Sequence, residues 1–221
     1  MSVKKNNNPI PPHIRFAALA VDIVCFRVLE NNLEILLGKV DSESNTFKGS
    51  WAHIGGLIRT EETAEDAVDR LLENKAGIKD IYKEQLYTFS SIDRDPRGRV
   101  VSVAYLAFVN SADVQDLVSA NVETTWRSLS KLPKLAYDHD EITKVALDRL
   151  RSKIIYTDIA KYLMPKKFTL SDLQKVYEAI LEEGMDKRNF RKRIIALGIL
   201  KDTGETIKKG VMRPATLYKF K

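Results

Sequence analysis

The chain has 221 residues, of which 36 are basic and 30 acidic, for a formal charge of +6. An apolar content of 44% supports a packed core and argues against wholesale disorder. No apolar run reaches the ~18 residues a membrane helix requires, and the single cysteine, Cys25, excludes an intrachain disulfide.

The opening stretch, MSVKKNNNPIPPH, lacks the apolar segment of a secretory signal. It reads as a polar tail over residues 1–12. Phe16 to Val28 and Leu33 to Val40 are apolar, β-branched runs around Glu30-Asn31-Asn32, the composition of a hairpin. A flexible polar connection, DSESNTFKGS, leads to a short strand from Trp51 that enters the glycine pair Gly55-Gly56. A helix is expected over about residues 63–75. Ala64, Ala67, Val68 and Leu71 form its apolar stripe and Gly77 its left-handed C-terminal residue. Lys83 to Ile92 and Arg99 to Asn110 read as strands around the loop DRDPRG, Ala112 to Ala120 as a short helix, and Trp126 to Leu129 as a last strand. His139 to Lys153 reads as a helix with Ile142, Val145, Ala146 and Leu150 on one side and Asp138 as its cap. Interleaved strands and helices predict a mixed α/β domain over residues 13–155. Cys25 lies in an apolar run, as befits a buried, inert thiol. Three scattered histidines and one cysteine offer no metal-ligand spacing.

The stretch Gly56 to Ile78, GLIRTEETAEDAVDRLLENKAGI, resembles the Nudix signature G-x5-E-x7-R-E-U-x-E-E-x-G-U, where U is a bulky apolar residue. Gly56, Glu62, Arg70, Leu72, Gly77 and Ile78 fall in register, whereas the three glutamates that would hold metal are replaced by Leu71, Asn74 and Lys75. Positions 71 and 75 lie one helical turn apart on a shared face, with 74 beside them. Carboxylates there would converge on one Mg2+, a hard cation that takes oxygen ligands. Leu71 offers no oxygen, Asn74 a neutral one, and Lys75 a positive charge. Metal-assisted phosphoryl chemistry lacks its ligands here, so neither catalytic nor metal-binding residues are assigned. The pattern points to recognition rather than hydrolysis.

The resemblance extends further. Trp51 to Gly56 is similar to the W-x-x-P-G-G entry of Nudix domains, with Ile54 where proline is usual. The loop Asp93 to Arg99 and its following strand resemble those of Nudix proteins that handle ADP-ribose, and the stretch Leu132 to Ile142 is also family-like. Arg94, Arg97 and Arg99 lie on or beside one loop, and arginine forks suit phosphate or carboxylate. Trp51 could stack on a base or a sugar. With His53 and Arg70 these form the candidate effector-binding set. A diphosphate bound without magnesium would need these cations, whereas a neutral sugar would not.

The positive charge is unevenly placed. Tyr156 to Lys221 holds 15 Lys+Arg and 8 Asp+Glu, net +7, while the remainder holds 21 and 22, net −1. That asymmetry predicts a second domain, residues 156–221, with a polyanion partner. Thr169 to Asp172 carries cap-type residues before a periodic run, Leu173, Val176, Tyr177, Ile180 and Leu181, which Gly184-Met185 ends. Asp186 is the expected cap of a second helix, Lys187 to Leu197, closed by Gly198. Ile199 to Lys201 and Ala215 to Phe220 read as strands around Thr203-Gly204 and a basic segment, the layout of a winged helix-turn-helix. Phe190, Ile194 and Leu197 should face the core, leaving Lys187, Arg188, Asn189, Arg191 and Lys192 to enter a major groove. Lys208, Lys209 and Arg213 of the wing would grip phosphates.

The string from Asp172 to Phe220 is similar to the C-terminal winged helix of NrtR-type Nudix-related transcriptional regulators. That resemblance implies an α/β/α Nudix-like sandwich with a mixed sheet, followed by a winged helix-turn-helix. It implies a cytoplasmic homodimer, not attached to a membrane, that represses genes of NAD or sugar metabolism. Its partner would be double-stranded DNA with inverted-repeat half-sites, and an ADP-ribose-like or pentose effector would release it, with no other cofactor. Two rivals stand beside this reading. One is an active Nudix hydrolase of ADP-ribose or a related nucleoside diphosphate derivative. The other is a constitutive nucleic-acid binding module whose first domain serves only dimerisation.

Overall fold

A computed structural model of the chain describes residues 16–41, 46–110, 122–208 and 214–221. Six strands form one sheet: β1 (Ala18–Leu29), β2 (Asn32–Lys39), β3 (Trp51–Leu57), β4 (Tyr82–Phe89), β5 (Val100–Phe108) and β6 (Thr124–Ser128). Their spatial order is β4-β5-β1-β3-β2-β6. β1 pairs parallel with β5 and antiparallel with its other partners, so the sheet is mixed. β1 is long enough to serve two neighbours on its second edge. Ala20 to Ile23 pair with β3, and Phe26 to Leu29 pair with β2. Glu30 and Asn31 both take positive φ, 48° and 64°, as a two-residue I′ hairpin turn demands.

Strand alternation decides the two cores. Val24, Phe26 and Val28 of β1 join one buried cluster, while Val21, Ile23 and Cys25 join the other. The second cluster is covered by α1 (Ala64–Ala76), which buries Ala67, Val68, Leu71, Leu72 and Ala76. Thr63 and Asp66 close a reciprocal capping box at its start, and Gly77 at φ 65° ends it. The first cluster is covered by α2 (His139–Tyr156), through Ile142, Ala146, Leu150 and Ile154. These layers make the α/β/α sandwich expected for the first domain. Cys25 is fully buried, and burial pushes its thiol up out of the reactive range. No described helix is long and apolar enough to cross a membrane.

The same cluster continues without a break into the second domain. It takes in Leu173, Val176, Tyr177 and Ile180 of α3 (Leu170–Leu181) and Phe190 and Ile194 of α4 (Lys187–Ala196). A hairpin of β7 (Leu200–Ile207) and β8 (Ala215–Phe220) follows. Tyr82 of β4 stacks on Tyr162 of the connecting turn at 3.8 Å, and Arg193 of α4 donates to the Ile155 carbonyl near the end of α2. The connection between the domains is therefore packed rather than a free tether.

Several local expectations change. Asp138 occupies the first cap position of α2, but its carboxylate makes no cap hydrogen bond, because Arg94 claims both oxygens. α3 ends at Leu181 with Glu182 left-handed at φ 54°, before Gly184-Met185; Arg151 reaches over to take the Ile180 carbonyl and the Glu182 carboxylate. Leu197 is 40% exposed rather than core-facing, since α4 stops at Ala196. Thr203-Gly204 is an irregularity within β7, not the wing turn. Gly204 takes φ 74° and Thr203 Oγ1 donates to the Leu217 carbonyl, so the strand runs on to Ile207. The helix expected over 112–120 lies outside the described residues, as do wing residues Lys209 and Arg213.

Candidate ligand pocket and nucleic-acid interface

A cavity of about 370 Å³ opens where β1, β3, α1, the loop before β5 and the start of α2 converge. Its floor is a buried polar cluster: Asp22, His53, Arg94 and His139 are each less than 8% exposed. Gly55 permits this closeness. A Cβ there would lie 2.4 Å from Asp22 Oδ1 and 2.7 Å from the Val21 carbonyl. Gly56 does the same for α1, since its Cβ would stand 3.0 Å from a Leu71 methyl. Leu71, at a position where the Nudix signature carries a glutamate, therefore serves packing.

Arg94 is the hub of the cluster. Its Nε and Nη2 donate to the two Asp138 oxygens at 2.9 and 2.8 Å, and Nη2 also donates to Asp22 Oδ2 at 2.9 Å. The His53 amide donates to His139 Nδ1, so the His139 ring proton sits on Nε2, 3.4 Å from Asp22 Oδ1. Burial would raise the Asp22 carboxyl, but His139 and Arg94 outweigh it and hold the group well below the usual carboxylate range. His53 Nε2 lies 3.2 Å from the His139 carbonyl and 2.9 Å from Thr143 Oγ1. The carbonyl can only accept, so Nε2 carries the proton. Burial, with the neighbouring His139 ring, pushes His53 down to about 3, and it is neutral at ordinary pH.

The structure brings together only part of the sequence-derived pocket set. His53, Arg94 and Arg97 line the cavity. Arg70 instead closes on Glu62 at 2.7 and 2.5 Å and on the Leu57 carbonyl, and its hydrogen bond pulls the Glu62 carboxyl down to about 2. Arg99 donates to the Ser90 and Ser91 carbonyls, stapling the loop to the end of β4. Trp51 packs against the α2-side core and lies 5.7 Å from both Lys39 and Arg127 charges. The aromatic that does line the cavity is Tyr137, held left-handed at φ 57° between Phe47 and the Arg97 guanidinium. Its sequence signal was slight, because a strained non-glycine residue is recognisable only from the backbone.

The site does not fit a divalent ion bound in the usual Nudix manner. Among the described residues no group of three His, Cys, Asp or Glu could hold a metal. Lys75 occupies the third glutamate position and donates to the Gly55 carbonyl at 2.7 Å. A larger, open cleft of about 910 Å³ lies between the β4 end of the sheet and the connecting turn, away from Asp22 and Arg94.

In the second domain, Asp186 caps α4 by accepting the Asn189 amide at 2.8 Å. Lys187, Arg188, Asn189, Arg191 and Lys192 are all exposed, and none of their side chains has an ion-pair partner among the described residues. Lys208 is likewise exposed, at the end of β7. Arg193 is set apart from them by its contact with Ile155.

The NUDIX domain family model matches residues 18–147, and that of the NrtR DNA-binding winged helix domain matches residues 160–220. The ADPR responsive transcriptional repressor NtrR of Acinetobacter baylyi is 35% identical over 206 residues, covering 91% of this chain and 81% of the relative. An ADP-ribose pyrophosphatase of Methanocaldococcus jannaschii is 37% identical over 127 residues, 58% of this chain and 71% of that protein. The crystal structure of Shewanella oneidensis NrtR complexed with a 27mer DNA superposes with a TM-score of 0.81 at 32% identity, covering 92% of this chain and 93% of the other. The NUDIX domain of that protein, in complex with ADP ribose, gives a TM-score of 0.56 at 32% identity over 65% of this chain and 94% of that one.

Proposed function

This chain belongs to the NrtR family of Nudix-related transcriptional regulators, and we propose that it is a repressor released from DNA by an ADP-ribose-like metabolite. It is a DNA-binding transcriptional regulator with a Nudix domain and a winged helix. A cytoplasmic homodimer presents two copies of α4 to an inverted repeat, with centres ~34 Å apart or a multiple of that. Arg188 and Asn189 read base edges, and Lys187, Arg191, Lys192, Lys208, Lys209 and Arg213 hold phosphates. The effector sits in the cavity lined by His53, Arg97 and Tyr137. It binds the free protein more tightly than the DNA-bound protein; 100-fold coupling corresponds to about 2.7 kcal/mol.

The observation that carries this reading is the pairing of two sites in one packed unit. An exposed α4 has five polar side chains with no ion-pair partner among the described residues, and a signature-bearing cavity carries no glutamates at the signature's metal-holding positions. Gel shifts on operator DNA with and without ADP-ribose test it. The complex should dissociate as ADP-ribose rises, and a complex indifferent to ADP-ribose would remove the gating.

A second reading draws on the likeness to the pyrophosphatase: residual hydrolysis of ADP-ribose in the same cavity. Leu71, Asn74 and Lys75 at the three glutamate positions weigh against it. Magnesium-dependent release of AMP by the purified protein would establish it.

A further inference from the structure

Four cationic side chains line the effector cavity, and the protein itself neutralises three of them. Lys39 pairs with Glu123 at 2.8 Å, Arg97 with Asp95 at 2.7 Å, and Arg94 with both Asp22 and Asp138. Lys75 is different. Its ammonium donates to the Gly55 carbonyl, a neutral acceptor, and it forms no ion pair with any described carboxylate. An ammonium carries three donors, so two remain uncommitted. Burial lowers the Lys75 pKa, only partly offset by the Asp22 charge nearby. A half-buried cation without a counter-ion is an unfavourable arrangement that an incoming anion relieves. Of the acids lining the same space, Asp22 and Asp95 are each closed off by an arginine, and Asp41 lies exposed beyond the end of β2.

We propose that Lys75 stands in for the divalent ion of this fold: its ammonium is the fixed counter-charge for the diphosphate of a nucleoside-diphosphate sugar, so ligand binding needs no metal. This rests on the effector reading above and adds to it how the ligand's charge is met. A side chain that replaces a metal ligand by an ammonium supplies charge neutralisation but no activated water. The same substitution therefore retains recognition of a diphosphate while removing the means to cleave it. The sequence-derived arginines do not fill this role, because their forks are spent on carboxylates or carbonyls of the protein.

Isothermal titration of the full-length protein with ADP-ribose, in EDTA and in Mg2+, tests the assignment. The unmodified protein should bind equally in both buffers. Lys75→Met should bind about 10- to 100-fold more weakly, the loss of one charge-assisted hydrogen-bonding group, while Lys75→Arg retains most of the affinity. Lys75→Gln serves as a second neutral variant should methionine impair folding, and operator binding reports that each variant is intact. Lys75→Met binding as tightly as the unmodified protein in EDTA, or an unmodified protein that binds only with Mg2+, overturns the assignment alone. An unmodified protein that holds operator DNA but binds ADP-ribose in neither buffer overturns the effector reading together with it.

Discussion

Replacing Arg94 with methionine would leave two carboxylates facing each other without their cation. Arg94 and Asp22 are 7% and 6% exposed, and the guanidinium makes three hydrogen bonds of 2.8 to 2.9 Å to Asp22 and Asp138. Removing one partner of a buried charge pair costs about 3–5 kcal/mol, because the remaining charge is stranded. For a chain of this size that is a fall in Tm of roughly 6–20 °C, at ~2–4 °C per kcal/mol. The sign with pH follows from the carboxylates. In the native protein Asp22 is held below its ordinary value of 3.8, so its stabilisation is complete above that value and fades as pH falls through it. In the variant Asp22 keeps only its His139 and Ser102 contacts, so its carboxyl is depressed less than in the native protein and protonation costs the fold less. The stability gap between the two proteins should be widest near neutral pH and narrow steadily towards pH ~4. Adding Asp138→Asn to the variant should recover part of the loss, giving a non-zero coupling in a double-mutant cycle. Denaturant unfolding at several pH values measures all three quantities. A loss below ~1 kcal/mol, or a gap that stays constant with pH, would show that the hub is not the electrostatic element described here.

Three further outcomes are expected. His53 is held neutral down to about 3, whereas an unfolded histidine protonates near 6.5, so it contributes a stability loss of ~1.4 kcal/mol per pH unit as pH falls between those values; His53→Gln should flatten the stability curve by that amount below pH ~6. Arg191→Ala should weaken operator binding and reduce the salt slope by ~0.9 if it contacts phosphate; Arg193→Ala, whose side chain is turned to Ile155, should leave that slope unchanged, as fluorescence anisotropy across salt would read. Gly55→Ala places a methyl 2.4 Å from Asp22 Oδ1, and should cost about 1–3 kcal/mol in unfolding measurements.

Much of the architecture is local and therefore legible in the chain. Thr63 and Thr169 cap their helices three residues ahead of an aspartate, Gly77 and Gly198 end helices at φ 65°, and β1 alternates its side chains between two cores. Each of these depends on residues within a turn or two, or on a period of two, so spacing is enough. The families of both domains could be recognised for the same reason, since the signature and the basic helix are contiguous. Long-range partnership is another matter. Nothing in spacing reveals that Arg94 would be absorbed by Asp22, 72 positions away, and by Asp138, 44 positions away. Nor does spacing reveal that Trp51 faces a core while Tyr137 faces the cavity.

Residue type and order along the chain determined that a helix at 64–76 would lack three carboxylates and that the last third would be basic. Only the folded arrangement decided which cations remain available to a ligand. Availability is a matter of what else has come within 3 Å, and in this pocket the sheet and the start of α2 bring carboxylates to Arg94, the loop brings one to Arg97, and only a carbonyl reaches Lys75.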